Sequence, residues 1–216
     1  MSVYMNNGAT TWPKPECVAQ AMYDFLAGGG ANVARGSASK RDLKSMDIVL
    51  SCREELVSLF GGLDDDPRYT TFTANVTEAI NVILKGFLKP GMTVLTSSME
   101  HNAVLRPLRR LEARGVTIEI APCDGEGFLE PHLFAEALSR TRPDLVILSH
   151  ASNVCGTVQE LAALAPLCRE RGVPFVVDCA QTAGILPISL QELGLAAICF
   201  TGHKGLLGPQ GIGGII

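Results

Sequence analysis

No Cys-x-x-Cys pair occurs among the seven cysteines of this 216-residue sequence, at positions 17, 52, 123, 155, 168, 179 and 199. An odd number without paired spacing argues against a disulfide framework and against a zinc site, so no metal is expected. Most of the seven are expected to be small buried hydrophobes, because several lie inside apolar runs and free cysteine is commonly buried. Cys155 and Cys179, within or beside such runs, are read as structural thiols rather than sulfur carriers. Charge of one sign is also lacking. The formal net charge is −4, with 18 basic and 22 acidic residues interspersed, which leaves no basic footprint for nucleic acid. No apolar run approaches the roughly 20 residues that a membrane-spanning helix needs. Met1-Ser2-Val3-Tyr4 does not open a secretory signal, and a cytoplasmic protein without membrane contact is expected. Internal repeats and low-complexity tracts are absent. Asp64-Asp65-Asp66-Pro67 is read as a solvated acidic turn, the chemistry that turns favour.

The 47 % hydrophobic content is enough for one large domain with a substantial core. Short runs rich in Val, Ile and Leu alternate with longer amphipathic segments, a rhythm that predicts an α/β fold: three layers, α/β/α, around a mostly parallel sheet. Strands are expected at Arg68 to Thr73, Thr93 to Ser97, Thr117 to Ala121, Leu145 to Ser149, Pro174 to Asp178 and Ala197 to Thr201. Helices are expected at Pro15 to Leu26, Asp42 to Phe60, Asn75 to Leu88, Ala103 to Arg114, Pro131 to Ser139 and Leu161 to Arg171, the last stopped by Gly172. Gly213-Gly214-Ile215-Ile216 reads as the start of one more strand.

Ligands of open parallel sheets gather beyond the carboxyl ends of the strands. The residues that follow the apolar runs here include Val76 and Thr77, His101, Asn153, Asp178 and Gln181, and Thr201, His203 and Lys204. A buried strand-end aspartate needs a positive partner, which a protonated ring nitrogen can be. A lysine on a neighbouring strand end can form a Schiff base with an aldehyde. The helix start at Val76-Thr77, with Asn75 as cap and Glu78 three residues on, offers amides to a phosphate. Ring nitrogen, aldehyde and phosphate together describe pyridoxal 5′-phosphate. Taken singly these residues have plainer readings, as a helix cap, a turn former or a surface lysine. Their coincidence on successive strand ends favours the cofactor. A nucleotide-binding P-loop is excluded for the glycine-rich tail, because Lys204 precedes Gly205, Gly208 and Gly211 instead of following them.

Asn6-Asn7-Gly8-Ala9-Thr10-Thr11-Trp12-Pro13-Lys14-Pro15, Ser97-Ser98-Met99-Glu100-His101-Asn102-Ala103-Val104, His150-Ala151-Ser152-Asn153-Val154 and Thr201-Gly202-His203-Lys204 carry a resemblance that runs nearly end to end. The chain resembles the fold type I pyridoxal-phosphate enzymes of aminotransferase class V, and within them the cysteine desulfurase and selenocysteine lyase group. The resemblance implies that Lys204 holds the cofactor as an internal aldimine and moves the substrate's α-proton, making it, with His101, the catalytic pair. It implies Asp178 against the pyridinium nitrogen, His101 stacked on the ring, and Asn153 and Gln181 facing the phenolic oxygen. The phosphate is expected on the Val76 and Thr77 amides, with Thr201 and His203 adding contacts. It further implies a substrate such as cysteine, a possible sulfur-acceptor protein, a homodimer, and residues 1–216 as the cofactor-binding large domain with an N-terminal segment 1–40. The small C-terminal domain of relatives is expected to be absent. Transamination, β-elimination or an inactive remnant are the alternatives. One departure concerns the loop Ala31 to Lys40, which lacks the histidine usual in relatives, where that loop shapes the substrate entrance.

Overall fold

The computed structural model describes residues 3–28, 30–33 and 39–216. Much of the 31–40 loop singled out from the sequence, residues 34–38, lies outside the described residues. Among the described residues seven α-helices follow in chain order: α1 (Glu16–Gly28), α2 (Lys40–Leu59), α3 (Val76–Phe87), α4 (Asn102–Glu112), α5 (Pro131–Thr141), α6 (Leu161–Arg169) and a single turn α7 (Leu190–Leu193). The strands are β1 (Thr71–Thr73), β2 (Thr93–Ser97), β3 (Thr117–Ala121), β4 (Leu145–Ser149), β5 (Phe175–Asp178), β6 (Ala197–Thr201) and β7 (Gly213–Ile215). They form one sheet in the order β1-β7-β6-β5-β4-β2-β3. Strands β3, β2, β4, β5 and β6 run parallel, and β7 is antiparallel to both β6 and β1.

Leu-Val-Ile-Leu-Ser of β4 and Phe-Val-Val-Asp of β5 are buried at every position, as strands covered on both faces must be. Alternation along the strands divides the core in two. Leu95, Val146, Leu148, Val177, Ile198 and Phe200 face a cluster closed by Phe134 and Leu138 of α5, Leu164 and Cys168 of α6, and Val57 of α2. Val94, Leu145, Ile147, Val176 and Cys199 face the other, closed by Ile80 and Leu84 of α3 and Val104, Leu108 and Leu111 of α4. This is the three-layer arrangement expected from the sequence.

Two expectations are corrected. Residues 68–73 do not form one strand: Pro67–Tyr69 is a 3₁₀ turn, started by Asp66, whose carboxylate accepts from the Arg68 amide at 2.9 Å, and only Thr71–Thr73 is extended. A proline after a capping aspartate starts a helical turn instead of a strand. The cysteines are not mostly buried. Cys168, Cys179 and Cys199 are, but Cys17, Cys52 and Cys155 are exposed and Cys123 is intermediate. For Cys155 the neighbouring Val154 suggested an apolar run, yet both lie in a surface turn that ends at Gly156 with φ +79°.

Candidate active site

Beyond the carboxyl ends of the central strands lies a cleft of about 410 Å³. Val76, His101, Asn153, Asp178, Gln181 and Lys204 all line it, so six of the nine residues singled out from the sequence meet in one place. Asp178 ends β5 and is 4 % exposed. Among the described residues its carboxylate takes one hydrogen bond, from the Ala180 amide at 2.9 Å. Burial raises its pKa, opposed by that amide and by the charges of His101 and Lys204. Lys204, three residues past the end of β6, is half-buried; desolvation lowers the pKa of its amine and the nearby Asp178 charge works against that. The pair is therefore opposite in sign, neighbouring along the sheet, and turned into the same space.

Local structure holds the remaining side chains. His101 caps α4: its Nδ1 accepts from the Ala103 amide at 3.0 Å, which in the neutral ring leaves the hydrogen on Nε2. The Asn75 side chain accepts from the Glu78 amide at 2.9 Å while the Glu78 carboxylate accepts from the Ala74 amide at 2.7 Å, a reciprocal cap. That leaves the first-turn amides of Val76 and Thr77 without an intrahelical acceptor. Gln181 donates from Nε2 to the Gly8 carbonyl at 3.2 Å, and Asn153 is exposed at the rim.

Three expected residues stand apart from the lining. Thr77 faces a neighbouring cleft between α3 and α4 that also carries Lys85, Arg106 and Arg110 and shares His101. Thr201 is buried, its hydroxyl 3.5 Å from the Ile212 carbonyl. The His203 Nδ1 is buried with no hydrogen-bond partner among the described residues.

Other residues of the site were not singled out from the sequence. Ser149 lines the cleft, and behind it lies Glu100, 8 % exposed. The Glu100 carboxyl accepts from the Ser97 hydroxyl at 2.6 Å and from the Ser149 amide and hydroxyl, each at 2.8 Å. Met5, Asn6, Gly8 and Ala9 form one wall. The signal for Ser149 was available, since it is the last residue of a fully buried strand; the wall depends on contacts between the two ends of the chain.

The chain matches the class-V aminotransferase family over residues 3–216. It belongs to that family. Among curated members it is 34 % identical over 222 residues to the cysteine desulfurase IscS of Vibrio campbellii, covering 100 % of this chain and 53 % of the relative. The IscS of Pectobacterium atrosepticum is 35 % identical over 220 residues, with the same coverage. Among solved structures, the apo cysteine desulfurase of Thermococcus onnurineus NA1 superposes with a TM-score of 0.90 at 29 % identity, over 99 % of this chain and 52 % of that one. SspA, solved in complex with cysteine, gives 0.89 at 25 %, over 99 % and 60 %. The chain thus spans about half the length of the curated relatives it matches.

Class-V aminotransferases depend on pyridoxal phosphate, and the donor set of the cleft fits that molecule. An amine of lowered pKa suits its aldehyde, and a buried carboxylate with acceptor capacity to spare suits a protonated ring nitrogen. Among the described residues no group of three or more His, Cys, Asp or Glu could hold a metal ion, and no helix is long and apolar enough to cross a membrane.

Proposed function

We propose that this chain is the cofactor-holding part of a pyridoxal-phosphate-dependent, cysteine desulfurase-like enzyme, its residues 1–216 forming the large domain with an N-terminal segment 1–40. The observation that carries this reading is the opposition of Asp178 and Lys204 across one cleft at adjacent strand ends. Lys204 Nζ would hold the cofactor's aldehyde carbon, a condensation that releases water and needs an unprotonated amine; desolvation favours that form. The same amine then holds and moves the α-proton of the substrate, so Lys204 is the general base as well. Asp178 would face the ring nitrogen, His101 the ring, and Asn153 and Gln181 the phenolic oxygen, while the amides of Val76 and Thr77 would receive the phosphate, with Thr201 and His203 as further candidate contacts from beyond the lining. When bound, the protonated ring supplies an electron sink for the charge left at Cα.

Cysteine or a related amino acid is the proposed substrate, supported by the names of the relatives, and an acceptor protein would take the sulfur. A homodimer is supported by the exposed Met22, Tyr23 and Leu26 of α1, a helix with no buried residue. Exposed free thiols at Cys17, Cys52 and Cys155 agree with a reducing, cytoplasmic setting.

The test is spectroscopic and then chemical. Protein mixed with pyridoxal phosphate should gain an absorbance band that borohydride fixes to a peptide containing Lys204, and Lys204→Ala should abolish it. Cysteine supplied with excess dithiothreitol should then yield alanine and sulfide, the dithiol being oxidised to its disulfide as it reduces the transferred sulfur. Pyruvate in place of alanine would mean β-elimination, a keto-acid product transamination, and cofactor binding without turnover an inactive remnant. Absence of the Lys204-dependent band overturns the proposal.

A further inference from the structure

The peptide unit joining His203 to Lys204 is held from outside its own loop. After β6 the chain turns through residues 202–206, and among the described residues every donor to the His203 carbonyl comes from the N-terminal segment. The Thr11 amide reaches it at 3.1 Å, the Thr10 hydroxyl at 3.2 Å and the Lys14 ammonium at 2.6 Å. The next carbonyl, that of Lys204, accepts from the Thr11 hydroxyl at 2.6 Å beside the Leu207 amide at 2.9 Å. On the opposite side Gly205 lies so close to the Ala183–Ile185 turn that a Cβ would stand 2.4 Å from the Ala183 carbonyl oxygen.

A carbonyl oxygen has two lone pairs, so one donor already removes the penalty of leaving it unpaired. Three donors, one of them an ammonium whose pKa is lowered by desolvation, exceed what satisfying a loop carbonyl requires, and charge-assisted bonds are the stronger kind. What such an arrangement controls is orientation. Rotating the His203–Lys204 plane changes the direction of the Lys204 Cα–Cβ bond, and the long flexible side chain magnifies that change at Nζ.

We propose that Thr11 and Lys14 are positioning residues for Lys204, fixing the His203–Lys204 peptide plane so that the amine is presented to the cleft beside Asp178; the inference rests on the role of Lys204 given above. Neither residue lines the cleft; each acts through the backbone of the loop.

Thr11→Val and Lys14→Met test it, with Thr11→Ser and Lys14→Arg as the conservative partners. Without cofactor, hydrogen exchange at the amides of residues 203–206 should quicken in the first two variants and return towards the parent in the second two. With pyridoxal phosphate, each disruptive variant should bind roughly tenfold more weakly, the scale of one hydrogen bond. It should also shift the pH midpoint of the bound chromophore, and the conservative variants should restore both. Unchanged exchange overturns the inference, as does a lowered melting temperature with unchanged affinity and midpoint. If the parent protein binds no cofactor, the role of Lys204 falls while the exchange comparison still judges the strap. Should Thr11→Val fail to fold, Lys14→Met decides.

Discussion

Glu100 and Ser149 are joined by two hydrogen bonds, the amide and the hydroxyl of Ser149 both reaching Glu100 Oε2 at 2.8 Å. Ser149 in turn is the register partner of Asp178 on β5, so a row of three side chains crosses the strand ends with a carboxyl at each end. Two buried carboxylates so placed disfavour each other's ionisation. Burial is the main cause that lifts the Glu100 pKa to about 7, with the Asp178 charge adding to it and the serine hydrogen bonds opposing.

Stability should therefore depend on pH through Glu100 in a defined direction. The folded pKa lies above the unfolded one, so the favourable contribution is complete below about 4.5 and is lost as pH rises through about 7. Glu100→Gln, which stays neutral, should lack that loss. Denaturant melts of the two proteins between pH 5 and 8 should diverge by a few kcal/mol at the alkaline end, the parent being the less stable. Parallel curves would contradict the raised pKa of Glu100.

Asp178 raises the pKa of the Lys204 amine against its desolvation. Removing the charge with Asp178→Asn should let desolvation act unopposed and move the titration of Lys204 to lower pH. Rates of reductive methylation at Lys204, followed by mass spectrometry across pH, would show this as an earlier onset of reactivity in the variant.

Cys155 should be the most reactive thiol at neutral pH. It is exposed, and hydrogen bonding with Ser152 and then Thr157 lowers its pKa to about 7; its sulfur lies 3.2 Å from the Thr157 hydroxyl oxygen. Burial instead raises Cys168 to about 12. Iodoacetamide at pH 7 should label Cys155 first, and Ser152→Ala should slow that labelling several-fold, since the thiolate is the reacting species. Equal labelling of Cys155 and Cys17 would refute the assignment.

The elements of the central sheet were legible because burial on both faces writes an uninterrupted apolar run, as in β4 and β5. Polar residues directly after those runs pointed to Asp178, Asn153 and Lys204 for the same reason. The short strand after Pro67 and the exposure of Cys155 were not legible. In both cases turn geometry overrode the character of the neighbouring residues. Nor could pattern reveal the hold of Thr11 on Lys204, a contact between residues 193 positions apart. Glu100 was visible only as the residue before His101, since its meaning depends on a serine 49 positions away.

The glycines of the last strand separate space-limited positions from permissive ones. At Gly213 an added Cβ would lie 2.6 Å from the Asn75 carbonyl carbon and 2.6 Å from the Phe200 carbonyl oxygen. Both are backbone atoms that cannot turn aside, one at the cap of α3 and the other within β6. Relief would require β7 to move away from β6 or the start of α3 to lift, and that helix start contributes Val76 to the cleft. Gly86, inside α3, has nothing within 4 Å of the corresponding position. Gly213→Ala should thus destabilise by about 2 kcal/mol or more through overpacking. Gly86→Ala should stabilise by about 0.5–1 kcal/mol, because alanine restricts the unfolded chain and favours helix. Urea denaturation of the two single variants measures both. The opposite signs are the decisive outcome, since a general intolerance of glycine replacement would make both negative and leave the close approach of β7 to α3 without energetic consequence.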